Sequence, residues 1–283
     1  MIIGYAICDL DQNNTDLART LKKLPANAIE LQKEGNSWGK DQISKSTKKY
    51  DFISVHAPTR YTDLSSMDPK MLEYSQKKTI ETMNLANEIN AHTLVIHPVH
   101  HEGWLEPKDR IHKKNIFLST FEHVLVPHYL DNFHEYRIAI ENIEYSKYPA
   151  TLEETGELHA ALNTIHPVGI VLDIPHIWNT RRILAENEHL EDKVYGYPWT
   201  PEILYDYVEK FIRHNKEHID LYHIANFGEN PVRTHDYIAR DKIHPELEMI
   251  IPLIKDKPII LEVYNHNYQP IKESKKAIEE IAR

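Results

Sequence analysis

The 283-residue chain has one cysteine, Cys8, only eight glycines and no long apolar run. A single cysteine excludes an intrachain disulfide and agrees with a reducing compartment. The few glycines form no glycine-rich phosphate loop. No apolar run approaches the roughly 18 residues that a membrane span requires, and the apolar N-terminus MIIGYAI is too short for a signal peptide. We therefore expect a cytoplasmic protein that is not associated with a membrane.

Basic residues are also fewer than acidic residues. The chain has 33 lysines and arginines against 43 aspartates and glutamates, which gives a formal net charge of −10. Proteins that bind a phosphate backbone usually present a basic face, so this balance argues against a nucleic-acid partner. The apolar content of 41% is ordinary for a soluble globular protein.

Short β-branched runs alternate with longer amphipathic segments. Eight runs are predicted to be strands: Ile2–Ile7, Ala28–Gln32, Phe52–His56, Thr93–His97, Arg137–Glu141, Gly169–Asp173, Asp220–Ile224 and Pro258–Val263. Eight segments are predicted to be helices: Thr15–Leu24, Lys40–Lys49, Pro69–Asn90, Pro107–Phe133, Leu152–Thr164, Pro201–His218, Pro245–Lys255 and Ile271–Ala282. This alternation predicts an α/β fold, a single (β/α)8 barrel with residues 1–283 as one domain. The longest stretch without a pattern, Trp178–Trp199, is predicted to be irregular and to cover part of the barrel mouth.

Residues that can hold a divalent metal recur at or just after the ends of the predicted strands. The motifs SVHAP, LVIHP, IAIEN, VLDIPH, LYHIAN, RTH and IILEV contain His56, His97, Glu141, Asp173, His176, His223, His235 and Glu262. A lone histidine at a strand end is more often a hydrogen-bonded structural residue than a ligand. In a (β/α)8 barrel, however, the carboxyl ends of all strands meet at one face. The joint pattern therefore predicts one shared metal site.

The types of ligand indicate which ions to expect. An oxygen-rich set ends predicted strands five to eight and suits Mn²⁺, Mg²⁺, Co²⁺ or Zn²⁺: Glu141, Asp173, His223 and Glu262. With Glu141 as a bridge, His56 and His97 could hold a second ion, for which the histidine content favours zinc. His176 and His235 could contribute to a third site. We expect one to three ions, Zn²⁺ or Mn²⁺.

These motifs, in this order, resemble the xylose isomerase-like TIM barrel superfamily. It includes sugar isomerases and epimerases and the endonuclease IV enzymes (AP endonuclease family 2). By motif the resemblance extends from Phe52 to Glu262. The epimerase type implies one Mn²⁺ or similar ion at Glu141, Asp173, His223 and Glu262. The endonuclease type adds His56 and His97 for a second ion, and His176 and His235 for a third.

Several positions depart from the endonuclease pattern. There the third ion takes an aspartate two residues before the last histidine, and this chain has Arg233 at that position. A cation is a poor replacement for a metal ligand. Three other signatures of those enzymes are replaced, by Thr59-Arg60-Tyr61, Pro98-Val99 and Ala239-Arg240-Asp241. These departures argue against a trinuclear site that cleaves DNA.

Two functions remain open. The first is a metal-dependent isomerase or epimerase of a sugar or sugar phosphate, with proton transfer by Glu141 and Glu262. Its substrate would be a small carbohydrate. Trp178 could stack on the sugar or pack as an ordinary loop residue. Arg181 and Arg233 could bind a phosphate group or hydroxyl groups of the substrate.

The second is a zinc-dependent endonuclease of the endonuclease IV type, in which a hydroxide bridging two Zn²⁺ attacks a phosphodiester. Nucleic acid is an expected partner only under this alternative. Nothing in the sequence indicates an oligomeric state.

Overall fold

Eight parallel strands close into a barrel in chain order, which confirms the predicted (β/α)8 fold. The computed structural model describes residues 1–8, 20–22, 26–32, 34, 38–99, 107–144, 147–186, 200–226, 238–263 and 268–283. The strands are β1 Ile3–Cys8, β2 Ala28–Gln32, β3 Phe52–His56, β4 Thr93–Ile96, β5 Arg137–Glu141, β6 Gly169–Asp173, β7 Ile219–Ile224 and β8 Ile259–Leu261. Each strand pairs with the next one in sequence, and β1 pairs with β8.

Helices follow the strands on the outside of the barrel. They are α1 Lys40–Thr47, α2 Pro69–Glu88, α3 Pro107–Thr120, α4 Val126–Asp131, α5 Leu152–Asn163, α6 Ile174–Glu186, α7 Pro201–Asn215, α8 Pro245–Ile254 and α9 Tyr268–Ile281. A π-helical turn, Phe121–Leu125, separates α3 from α4. The predicted helix Thr15–Leu24 lies mostly outside the described residues. In the described part of the chain, no helix combines the length and apolar character needed to cross a membrane.

The prediction of an irregular Trp178–Trp199 is wrong for its first half. Residues 178–186 belong to α6, and residues 187–199 lie outside the described part of the chain. Proline often marks a turn, and Pro175 is the second residue of α6. Proline is tolerated in the first turn of a helix, however, because the N–H groups of that turn have no partner within the helix.

Local sequence signals fix the start of two other helices. The Thr151 side chain accepts a hydrogen bond from the backbone N–H of Glu154, and the Glu154 side chain accepts one from the Thr151 N–H. This reciprocal capping box starts α5. The Asp68 side chain accepts from the N–H of Lys70 at the start of α2, where Pro69 occupies the first helical position.

The core has two layers. The inner layer lies inside the barrel and consists of one residue from each of seven strands: Ala28, Phe52, Val95, Ala139, Val171, Leu221 and Ile260. The outer, larger layer packs the opposite face of the strands against the helices. At the amino end of the barrel, Arg137 forms an ion pair with Asp220 at 3.2 Å. Gly169 has no space for a side chain, because a Cβ there would overlap the Asp220 carboxylate.

His159, on α5, makes the stability of the barrel sensitive to acid. It is 6% exposed, its Nε2 lies 3.2 Å from the Val168 carbonyl oxygen, and its ring lies 4.6 Å from that of His218. Burial and the nearby charge of His218 lower the pKa of His159 to about 4. The unfolded chain should therefore bind the proton more tightly, and we expect stability to fall by on the order of 3 kcal/mol as the pH drops from about 6.5 towards 4.

We expect His159→Gln to remove this acid sensitivity. Glutamine keeps a donor for the Val168 carbonyl but cannot take up the proton. Burial raises the pKa of Asp220 to about 6, which contributes the opposite slope in the same range. The urea unfolding free energy of the variant should therefore be compared with that of the wild type at each pH from 4 to 7. The exposed His123→Gln is the control, and equal pH slopes for all three proteins would contradict the prediction.

A candidate metal centre at the carboxyl ends of the strands

The alternation of side chains along each strand directs the predicted ligands into the barrel. A residue two positions after an interior residue faces the same way. Five predicted ligands follow inner-layer residues by two positions: His97 after Val95, Glu141 after Ala139, Asp173 after Val171, His223 after Leu221 and Glu262 after Ile260. Because the strands are parallel, these side chains meet at the carboxyl end of the barrel.

Glu141, Asp173, His223 and Glu262 form a first group of candidate metal ligands, called below the first group of ligands. Their ligand atoms lie within 4.8 Å of one another. The first three residues are fully buried, and the Glu262 side chain is 14% exposed. Nδ1 of His223 lies 3.2 Å from Oε1 of Glu141 and 3.4 Å from Oε1 of Glu262, so one ring nitrogen faces both glutamates. Three carboxylates and one imidazole can hold a divalent ion.

Glu141 also belongs to a second group, with His56 and His97. Its Oε2 lies 3.0 Å from Nε2 of His56 and 3.1 Å from Nε2 of His97. The two rings stand edge to face, with centroids 4.8 Å apart. Since Oε1 of Glu141 faces His223, one carboxylate joins the two groups. The arrangement can therefore accommodate a second ion beside the first.

A backbone carbonyl determines which nitrogen of His56 carries the hydrogen. Nδ1 lies 2.7 Å from the carbonyl oxygen of Ala57. A carbonyl oxygen only accepts hydrogen bonds, so Nδ1 is the donor. The neutral imidazole then has its lone pair on Nε2, the atom that faces Glu141. His56 is thus prepared to donate a lone pair to a cation at this position.

The buried carboxylates of the two groups of ligands need nearby positive charge to remain ionised. Burial by itself would raise the pKa of Glu141, but the charges and hydrogen bonds of the surrounding imidazoles, His223 first, hold it well below its usual value. Burial opposes a charge on His56 as well, yet the hydrogen bond and charge of Glu141 raise its pKa to about 9. Buried carboxylates are stable only when they are paired. A divalent ion bound to the same atoms would supply the charge that protons on imidazoles otherwise provide, so the residues present fit such an ion.

Glu30 of β2 is a member of the cluster that the sequence analysis missed. It is fully buried, its Oε2 accepts a hydrogen bond from Ser54 Oγ at 2.8 Å, and the same oxygen lies 3.1 Å from Nε2 of His223. One of its oxygens also comes within 4.8 Å of ligand atoms of His56 and Glu262. The only signal in the sequence was one acid within the run AIEL. That acid lies in the middle of a strand rather than at its end.

Asn142 is the second residue that the sequence analysis missed. Its side-chain Nδ2 donates to the Asp173 carbonyl at 2.9 Å, and its Oδ1 accepts from the Asp173 N–H at 2.8 Å. Its own carbonyl accepts from Nδ1 of His176 at 2.8 Å. Asn142 therefore ties the end of β5 to the end of β6. The motif IAIEN contains it, but this contact depends on the pairing of two strands that are distant in sequence.

His176, in the first turn of α6, borders the cluster. Its Nδ1 lies 3.5 Å from Oε1 of Glu141 and 3.5 Å from Oδ1 of Asp173. Its Nε2 lies 3.6 Å from a carboxylate oxygen of Glu144, whose pKa is lowered to about 2 because nearby positive charges, that of His176 first, outweigh burial. The structure thus brings His176 to the edge of the two groups, and its assignment as a ligand stays a prediction.

The remaining predicted site residues are the substrate-binding candidates and one histidine: Trp178, Arg181, Arg233 and His235. The ring of Trp178 is half-buried in α6 and meets the ring of His244 at 5.7 Å. Arg181 forms an ion pair with Glu246 at 3.1 Å. Arg233 and His235 lie outside the described residues, so their assignments, like those of Trp178 and Arg181, stay predictions.

A cavity of about 80 Å³ opens beside the two groups. It lies where strands β1, β2 and β8 end, and it brings solvent to the side of the cluster that carries Glu262. Its described lining residues are Ala6, Cys8, Gln32, His56, Thr59, His97, His176, Glu262 and Val263. A small molecule in this cavity would contact side chains from both groups of ligands.

Known structures share this barrel. A D-tagatose 3-epimerase-like protein is 20% identical to this chain, over 99% of this chain and 97% of its own, with a TM-score of 0.71. D-allulose 3-epimerase from Methylomonas sp., in complex with D-allulose, is 12% identical, with 99% and 96% of the chains covered and a TM-score of 0.67. A protein from Thermus thermophilus, soaked with ZnCl2, is 14% identical, with 99% of each chain covered and a TM-score of 0.66. At these identities the similarity shows a common fold.

Sequence comparison identifies the family. A search of curated proteins finds no match. Residues 18–283 match the xylose isomerase-like TIM barrel family, which is the family that the strand-end motifs resemble. The match covers nearly the whole chain and agrees with the closed eight-stranded barrel. This chain therefore belongs to the xylose isomerase-like TIM barrel family.

Proposed function

We propose that this protein is a divalent-metal-dependent epimerase or isomerase of a small sugar, with 3-epimerisation of a ketose as its reaction. The observation that carries the proposal is the first group of ligands, in which Glu141 and Glu262 both face Nδ1 of His223. The structural neighbours add support, because several of them are sugar 3-epimerases.

The ion would be held by Glu141, Asp173, His223 and Glu262. Bound there, Mn²⁺ or Zn²⁺ would polarise the carbonyl and hydroxyl oxygens of a ketose and make the C–H between them more acidic. The chain contributes ligands whose positions are set in advance, since three of the four side chains are fully buried. Such preorganisation keeps the reacting groups aligned when the substrate enters.

Glu262 is the glutamate better placed to take a proton from a substrate. It lines the cavity, whereas Glu141 is 1% exposed and faces four imidazoles. We assign the general base to Glu262 and the partner acid to Glu141. For this role Glu141 has to take up a proton before the substrate reacts, and afterwards the two glutamates regain their starting states by exchanging protons with solvent. Epimerisation inverts a carbon, so the proton must leave one face and return to the other. Aldose–ketose isomerisation would need only one face, and hence only Glu262.

The described lining of the cavity favours an unphosphorylated sugar. None of the described lining residues is a lysine or arginine, the side chains that usually bind a phosphate. Arg181, a predicted phosphate ligand, is paired with Glu246. Gln32 and Thr59 line the cavity and could bind sugar hydroxyls. A free ketose is therefore the substrate class that we propose.

The test is incubation of the Mn²⁺-loaded protein with D-fructose, D-allulose and D-tagatose in D₂O. We expect the 3-epimer of at least one sugar by chromatography, with one deuterium at C3 of the product by NMR. An aldose product with deuterium at C1 or C2 would instead indicate isomerisation on one face. No exchange of any carbon-bound proton, with the metal site fully loaded, would contradict the proposal.

A second candidate is a two-ion phosphodiesterase of the endonuclease IV type. It is favoured by one observation, the group of His56, His97 and Glu141 that shares its carboxylate with the first group. The net charge of −10 opposes binding to DNA. Cleavage of abasic-site DNA by the Zn²⁺-loaded protein, together with two Zn²⁺ per chain, would favour this candidate over the epimerase.

A further inference from the structure

Glu30 is a fully buried acid that the proposed reaction does not use. Among the described residues its side chain has two polar partners, the Ser54 hydroxyl and the imidazole of His223, and its ion pair is with that imidazole rather than with a lysine or arginine. Burying a carboxylate is unfavourable unless it is paired and hydrogen-bonded. The imidazole of His223 is therefore the group that compensates the buried carboxylate of Glu30.

The two nitrogens of His223 face different partners. Nδ1 faces the first group, at 3.2 Å from Glu141 and 3.4 Å from Glu262, whereas Nε2 faces Oε2 of Glu30 at 3.1 Å. A carboxylate accepts hydrogen bonds, so without an ion either nitrogen can carry a hydrogen. With a divalent ion on the Nδ1 side, beside Glu141 and Glu262, the ring would keep its one hydrogen on Nε2 and donate it to Glu30. In the neutral ring the lone pair is then on Nδ1, and it points into the group of metal ligands.

Glu30 could instead be a ligand itself, because one of its oxygens lies within 4.8 Å of ligand atoms of His56 and Glu262. His56 argues against this assignment. Its Nδ1 donates to Ala57, so it has a single lone pair, on Nε2, which lies 3.0 Å from Glu141. An ion shared with Glu30 would take that lone pair from the second group. Oε2 of Glu30 is already engaged by Ser54 and His223, so only Oε1, which has no hydrogen-bond partner among the described residues, would remain for an ion.

We propose that Glu30 is a positioning residue: it holds His223 with the hydrogen on Nε2, so that Nδ1 is presented to the divalent ion. The inference rests on the proposed metal-dependent function and names a carboxylate that supports one of its ligands from the far side. Ser54 completes the arrangement by donating its hydroxyl to the same oxygen of Glu30. Carboxylates that orient a metal-bound histidine in this way also strengthen the ligand.

The experiment measures Co²⁺ and Mn²⁺ affinity of the ion-free protein by calorimetry, without sugar. We expect Glu30→Leu to weaken binding by roughly 10- to 100-fold. Glu30→Gln, whose amide oxygen can still accept from Nε2, should recover part of the loss. The visible spectrum of bound Co²⁺ should change in the leucine variant, because His223 is then free to rotate.

Asp220→Asn is the matched control. Asp220 is a partly buried acid on β7, the strand that carries His223, but it lies at the opposite end of the barrel and pairs with Arg137. Its variant should bind Co²⁺ as the wild type does. Equal losses in the Glu30 and Asp220 variants would show a general effect of removing a buried acid and overturn the proposal. An affinity of Glu30→Leu within twofold of wild type would also overturn it.

A measurement on the wild type covers the case in which the leucine variant does not fold. ¹⁵N NMR of the Zn²⁺-loaded protein should show the His223 hydrogen on Nε2, and a hydrogen on Nδ1 would overturn the proposal. Because no sugar is present, a protein that binds the ion but epimerises no ketose would contradict the proposed function and leave the inference on Glu30 intact. A wild-type protein that takes up no divalent ion would overturn the inference as well.

Discussion

Replacing Glu262 by glutamine is expected to lower kcat for ketose epimerisation by about 10²- to 10⁴-fold, the range typical of a lost general base. Glutamine has nearly the same shape and keeps an oxygen that can bind the ion, but it cannot take a proton. Binding of the ion should therefore weaken far less than catalysis. The measurement is steady-state kinetics together with the metal content of the same preparation.

Glu141→Gln is the informative comparison, because Glu141 is shared by both groups of ligands. Its two oxygens face His56, His97 and His223, so we expect loss of bound metal as well as loss of activity. Asp220→Asn, at the other end of the barrel, serves as the control with full activity. If Glu262→Gln turned over the sugar at the wild-type rate, Glu262 could not be the base.

Removing the metal is the second change with a large expected effect. A chelator should abolish epimerisation and lower the Tm, and Mn²⁺ or Zn²⁺ should restore both. At a free ion concentration of 1,000 times Kd, binding stabilises the folded state by about 4 kcal/mol. For a chain of this size that corresponds to a Tm difference on the order of 10 °C.

The physical reason is the concentration of buried carboxylates in the cluster. Glu30, Glu141 and Asp173 are each fully buried, and without an ion their charges are balanced by imidazoles. His223→Ala should therefore reduce the Tm difference between the loaded and the chelated protein, since it removes a ligand. Equal Tm values of the wild type with and without chelator, measured by calorimetry, would contradict a bound structural or catalytic ion.

The barrel could be predicted because its signal is local and repeated. Each buried strand is a short β-branched run and most of the helices between them are amphipathic, so all eight strands lie within a few residues of their predicted bounds. The helix α6 was missed because Pro175 and apolar residues directly after β6 are compatible with a turn as well as with a first helical turn.

The ligands at strand ends were predictable for a related reason. In a parallel barrel a chemically unusual residue at the end of a buried run points to the same face as those on the other strands. His56, Glu141 and Asp173 end their strands, His223 is one residue from the end of β7, and the structure brings the four side chains together. The contact of Glu30 could not be predicted in this way, because Glu30 lies in the middle of its strand. Its partner, His223 of β7, comes within hydrogen-bonding distance only in the closed barrel.

The order of residues along the chain was thus enough to specify the fold, its family and the face on which polar ligands gather, because hydrophobic periodicity and parallel strand direction do not depend on detail. Tertiary structure alone decided which atoms are within reach of each other. It made Glu141 the residue shared by both groups, paired Arg181 with Glu246, and directed Nδ1 rather than Nε2 of His223 towards the ligands. Hydrogen bonds and metal coordination form or fail on differences of a few tenths of an ångström in the distance between two atoms. In this protein those atoms belong to residues that are far apart in sequence.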